Sequence, residues 1–318
     1  MAKRVRSGVF LALLLAVFLG IFAVFGPGVY NDSDQYLKMH IHREPLYPLF
    51  LAALRTVFPN GWLIAMGVFQ NIFAAVSIWL FVEYTSKRFE LGFMGKVVVT
   101  LLCLAPHMLT SYFSALHLFI TNSVMSEALC MPLFLLFFME CCKIFTEREE
   151  RECWKAMVCS LFLAFLVSLA RTQMMVTILI WLVVTGVRIV LWPKKRWRRR
   201  TWQRPRNRDW KVLRLLMVVA VVAVVFILRM FAVRSYNLVF NGRFINNTYG
   251  TVNTLTNILY AADREDGERI RDPEAREFFF RMYDLAEEQQ ANYKYAGSSL
   301  RDKTEHIEAW HDTIKYEM

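Results

Sequence analysis

Asp32, Asp34, His40, His42, Arg43 and Glu44 fall within thirteen residues of one another in this chain. A carboxylate among cationic and partly buried neighbours has the chemistry of a general base, able to take a proton from an attacking hydroxyl. Arg43 and the two histidines have the chemistry to hold a phosphate. A loop that needed only to be soluble would do with fewer titratable types. His40 and His42 stand two apart, so they share no helical face, and without a matched Cys or Asp spacing they are a weak metal signal. Whether a divalent metal or other cofactor takes part is left open.

The elements that must position these groups are apolar. Of the 318 residues 56% are hydrophobic, and mean hydropathy is +0.32, more apolar matter than a soluble fold of this length carries. Apolar runs lie at residues 9–25, 62–82, 97–110, 128–145, 157–170, 176–191 and 212–232. Residues 97–145 as one helix would be about 73 Å long against a hydrocarbon core of about 30 Å, so the softer stretch 107–127 must divide two crossings. The triplet Arg171-Thr172-Gln173 divides 154–191 by the same reasoning. The expected fold class is therefore an all-α integral membrane protein with about seven transmembrane helices. Residues 46–58 are apolar and aromatic but too short to span, and read as an interfacial helix in the first outer loop, 26–61.

Charge sets the orientation. Lysine and arginine gather before the first run, after the second, after the fourth and between the sixth and seventh, where residues 193–214 hold eleven against one Asp. These are alternate loops, so the N-terminus and the basic loop 192–214 are expected in the cytoplasm and the first loop outside. The basic run reads as this asymmetry plus contact with lipid headgroups rather than as a nucleic-acid site. Residues 1–234 form the expected membrane domain. Residues 235–318 carry ten Lys and Arg against fifteen Asp and Glu and read as a hydrophilic, helical, extracytoplasmic segment. Asp272-Pro273 caps one helix over about 275–293, and a second starts near Asp302. The chain ends within that second helix, as a piece of a longer protein would. The six cysteines lie in or beside apolar runs and imply no disulfide.

A first span, a loop with Asp32 four residues before Tyr36, then Pro45-Leu46-Tyr47-Pro48 at the head of an apolar helix resembles the start of the GT-C integral-membrane glycosyltransferases, such as the protein O-mannosyltransferase and aminoarabinose transferase relatives. Pro106, Ser126-Glu127 and Arg171 are similar to further family features. The likeness covers roughly residues 1–190. It implies that Asp32 is the catalytic base, with Asp34 as its rival because the loop reads Asp32-Ser33-Asp34 where many members have Asp-Glu. It implies that Tyr36 and Tyr47 line a sugar site, that Glu127 shapes the site or binds metal, and that Arg171, with Arg43, faces a lipid phosphate. It also implies more spans than these seven.

The implied partners are a lipid-linked sugar donor, membrane lipids and an acceptor glycan, lipid or protein, in a bacterial plasma membrane. No glycine-rich nucleotide loop is present, which favours a donor entering from the bilayer. A non-catalytic component of cell-envelope assembly or export is the rival reading of the same loop.

Overall fold

The computed structural model describes residues 2–30, 32–113, 119–191 and 207–314, in two compact units, Met1–Asn246 and Asn247–Met318. Among the described residues there is no strand, and β pairing is limited to an isolated parallel bridge between Gly28 and Ser123.

The first unit holds α1 (Ala2–Phe25), α2 (Ser33–Leu37), α3 (Leu46–Val57), α4 (Trp62–Arg88), α5 (Phe93–Phe113), α6 (Glu127–Thr146), α7 (Glu150–Ala170), α8 (Val176–Leu191) and α9 (Asn207–Asn241). Seven of these, α1 and α4 to α9, are long and apolar enough to cross a membrane, so the chain has the make-up of a multi-pass membrane protein. Both divisions required by length are present: α5 and α6 are separate helices, and the chain leaves α7 at Arg171 in an extended conformation. All of the seven but α8 run further than their apolar runs, because backbone hydrogen bonding continues past the last lipid-compatible side chain. The basic loop falls largely on residues 192–206, outside the described residues.

Gly67 lets α1 lie close against α4: a Cβ there would clash with the Phe22 ring. Half of the α6 and α7 spans is buried, against 6% of the α5 span, which lies at the rim with its apolar surface outward. His107 of α5 is buried edge-on against Phe18, 5.3 Å between ring centroids.

The segment that joins α5 to α6 is fixed by polar groups of α4. Asn71 Nδ2 donates to the Thr121 carbonyl (3.2 Å) and to Asn122 Oδ1 (3.0 Å), and Gln70 Nε2 reaches the Ser123 carbonyl (3.4 Å). The first loop is stitched onto that segment in turn. Gly28 donates to the Asn122 carbonyl and accepts from Val124 N, both at 2.9 Å, and Ser33 Oγ donates to the Val124 carbonyl at 2.9 Å. Buried backbone groups that no helix satisfies thus find partners across ninety residues of sequence.

The second unit holds α10 (Tyr249–Ala261), α11 (Pro273–Glu288) and α12 (Leu300–Ile314) around Leu259, Phe279, Met282, Tyr283 and Trp310. Asp272 caps α11 by accepting from Ala275 N at 2.8 Å, with Pro273 in the first turn. The helix stops at Glu288 rather than near 293, since Gln290 takes a φ of 51° that no helix continues. Trp310 is fully buried and its indole donates to the Thr256 carbonyl at 2.9 Å, tying α12 to α10. The contact boundary between units falls at Asn246/Asn247, twelve residues beyond 234, because α9 continues unbroken to Asn241.

Candidate functional site

Arg43 is the hub of the loop end of the bundle. Its Nη2 pairs with Asp32 Oδ1 at 2.7 Å, Nε donates to Gln35 Oε1 at 2.8 Å, and Nη1 donates to the Tyr36 hydroxyl at 3.1 Å. The guanidinium also lies over the Tyr36 ring, 4.5 Å from its centroid. A guanidinium offers donors in a rigid fork, and here three directions are used at once.

From Tyr36 the network crosses to the head of α6. Tyr36 Oη accepts from Arg43, so its own proton is directed to Ser126 Oγ at 3.0 Å. Ser126 in turn donates to Glu127 Oε2 at 3.3 Å, and Glu127 pairs with Arg171. The donors all point from Arg43 toward Glu127, and bonds in such a chain polarise one another. Burial pushes the Tyr36 hydroxyl above its usual range, partly offset by Arg43, so it stays a neutral donor. Burial also works against charge on Arg171, and the Glu127 carboxylate more than restores it.

Asp32, Tyr36, Arg43, Glu127 and Arg171 are thus brought into one continuous network although 139 positions separate its ends. Two residues stand elsewhere. Asp34 is exposed and pairs with Lys38 one turn along at 2.6 Å. Tyr47 is fully buried inside the bundle: its hydroxyl accepts from Gln70 Nε2 at 2.9 Å and its ring meets Tyr36 edge-on, centroids 5.1 Å apart. It supports the Tyr36 ring from behind. Pro45 and Pro48 sit at the start of α3, where the missing N–H groups cost nothing, and Tyr47 and Leu51 face inward four residues apart.

A second network escaped the sequence reading. Glu44 is buried and pairs with Arg229 of α9 at 2.6 Å, while Thr172 Oγ1 donates to the same Glu44 oxygen at 2.7 Å. Arg229 Nε reaches the Ser168 carbonyl at 3.4 Å. Nearby, Asn241 Nδ2 donates to the Met39 carbonyl at 3.0 Å, and Met39 holds a φ of 54°. The available signal was Arg229 itself, a cation set directly between the run Val221-Val222-Ala223-Val224-Val225-Phe226-Ile227-Leu228 and Met230-Phe231. An ionisable group there is costly unless paired.

The His40 and His42 rings lie 4.4 Å apart, but among the described residues no three His, Cys, Asp or Glu side chains are placed to hold a metal ion. Comparison with protein-family models, with curated proteins and with solved structures gave no match to this chain.

Proposed function

We propose that the chain is a membrane glycosyltransferase of the GT-C kind, moving a sugar from a polyprenyl-phosphate donor to an acceptor hydroxyl at the loop end of the bundle. The observation that carries this reading is the chain of ion pairs and hydrogen bonds from Asp32 through Arg43, Tyr36 and Ser126 to the Glu127–Arg171 pair. Asp32 takes the proton of the acceptor hydroxyl as its oxygen bonds to the anomeric carbon. The bond from that carbon to the phosphate oxygen breaks, and the lipid phosphate leaves with the electron pair. Arg43 is ion-paired with Asp32 and donates to Gln35 and Tyr36, so its part is to hold the base. Contact with the leaving phosphate falls to Arg171, which is half-buried and shares its charge with Glu127.

In this reading the loop end faces the exterior of a bacterial plasma membrane, α3 lies at the interface, and residues 247–318 are extracytoplasmic. The lysine and arginine asymmetry of the loops supports that orientation. The test is transfer of radiolabelled sugar from a panel of polyprenyl-phosphate donors by the full natural protein in vesicles. Asp32→Asn should abolish transfer while donor binding persists, and Asp34→Asn, on an exposed carboxylate paired only locally, should keep most of it. Undiminished transfer by Asp32→Asn ends the assignment of the base.

A second reading has its own support: Asp32, Glu127 and Glu44 each neutralise one arginine, which is also what a non-catalytic brace in an envelope assembly component would show. A brace tolerates Asp32→Asn with a small loss of stability and has no transfer to lose.

A further inference from the structure

The second unit contains an open cleft of about 720 Å³, inside the range of about 300–1,000 Å³ usual for small-molecule sites. Its walls come from α10, α12 and the segment between α11 and α12. Tyr260 and Tyr293 supply aromatic faces, Ser298 and Thr304 supply hydroxyls, and Lys294 and Lys303 supply ammonium groups.

One wall is held in place before any ligand arrives. Tyr293 Oη donates to Asp263 Oδ1 at 3.1 Å, and Lys294 Nζ meets the Tyr283 hydroxyl, Glu287 Oε1 at 3.4 Å and Asp263 Oδ1 at 3.8 Å. Two carboxylates therefore neutralise Lys294. The opposite wall is pinned through Tyr260, whose hydroxyl lies 3.2 Å from His306 Nδ1. At the turn, a Cβ on Gly297 would meet the Asp302 side chain at 2.6 Å, so glycine is needed for the segment to close on α12. Lys303 is different: it is exposed on α12 and enters no ion pair among the described residues. Lys303 is therefore the lining cation left without a carboxylate partner among the described residues.

We infer that this cleft binds an acidic saccharide, a sugar ring stacked on Tyr293 and Tyr260 with its carboxylate or phosphate on Lys303. A flat aromatic face matches the C–H face of a pyranose, hydroxyls and ammonium groups match its ring of donors and acceptors, and preorganised walls cut the cost of ordering them. The inference stands on the second unit alone and does not need the transferase reading, so either can fail without the other.

The experiment is binding to the full chain in nanodiscs, measured by calorimetry with three probes: a glucuronate-containing tetrasaccharide, a neutral tetrasaccharide of equal length, and inorganic phosphate. The acidic tetrasaccharide should bind at least tenfold more tightly than the neutral one. Lys303→Ala should erase that tenfold preference, as loss of one charge-assisted contact does. Tyr293→Ala should weaken both saccharides, while Tyr293→Phe, which keeps the ring, should retain most of the affinity. Equal binding of acidic and neutral probes, or phosphate binding as tight as the acidic tetrasaccharide, overturns the acidic-saccharide assignment. So does the absence of any binding, or binding that neither Lys303→Ala nor Tyr293→Ala alters. Circular dichroism of each variant separates loss of binding from loss of fold.

Discussion

Replacing Arg229 with methionine tests how the long first loop is held to α9. The Glu44 and Arg229 side chains are 3% and 11% exposed, so solvent screening does little to reduce the cost of stranding either charge. Breaking a buried pair from one side costs about 3–5 kcal/mol. Thr172 still donates to Glu44 in the variant, which sets the expectation at the lower end, about 3 kcal/mol. Glu44→Gln should cost a similar amount, because it strands the guanidinium beside the Ser168 carbonyl. The double variant Glu44→Gln/Arg229→Met removes both charges and should recover about 2 kcal/mol relative to either single change. The measurement is reversible unfolding in mixed micelles, read as a double-mutant cycle. A cost below about 1 kcal/mol for Arg229→Met, or a double variant no more stable than the singles, refutes the claim that charge burial dominates.

Three further outcomes are expected. Gly67→Ala should destabilise by about 1–3 kcal/mol through overpacking against Phe22, while Gly20→Ala, with nothing within 4 Å, should be neutral or slightly stabilising; thermal unfolding in detergent compares them. The Tyr295 hydroxyl, with Asn292, Tyr283 and Lys294, holds the Glu287 carboxyl below the usual glutamate range. Its folded pKa is thus below its unfolded one, so its contribution is present above the unfolded pKa and is lost as pH falls through the folded value. Glu287→Gln should flatten that acid limb in a circular dichroism titration from pH 7 to 2, and an unchanged profile would remove Glu287 from the account. Reporters fused after Leu191 and after Asn241 should fall on opposite sides of the membrane, and a shared side would mean that α9 does not cross.

The spans were legible because length against bilayer thickness leaves few choices: a 49-residue apolar stretch must turn back, and the polar triplet at Arg171 marks another turn. Their ends were less legible, since Glu150, Glu152 and Arg88 are helical yet carry charge, and composition stops at the first charge where hydrogen bonding does not. Asp32, Glu127 and Arg171 could be gathered because each flanks a span. Which carboxylate joined the network could not be read, for it depends on where the turn at Tyr30 and Ser33 aims the start of α2. The lining role of Tyr47 comes from the family resemblance alone, whereas its place in α3 turns it inward with Leu51, where it accepts from Gln70. The Glu44–Arg229 pair was invisible for a different reason. It joins residues 185 apart, and no local pattern records such a distance.

That separation also has a meaning in time. Translation proceeds at about 5–20 residues per second, so Arg229 is made roughly 10–40 s after Glu44. The partners that stitch the loop near Ser123 come earlier, and those near Ser168 and Thr172 later, each released in turn by the ribosome. The loop therefore cannot reach its final shape as it emerges; it is finished only when α9 inserts and brings a cation to a carboxylate made 185 residues earlier. Until then Glu44 lacks the neighbour that makes its burial tolerable, and it must stay hydrated at the membrane surface or be shielded by whatever assists insertion. A nascent chain stalled before residue 229 should accordingly leave this loop accessible to water and to proteases.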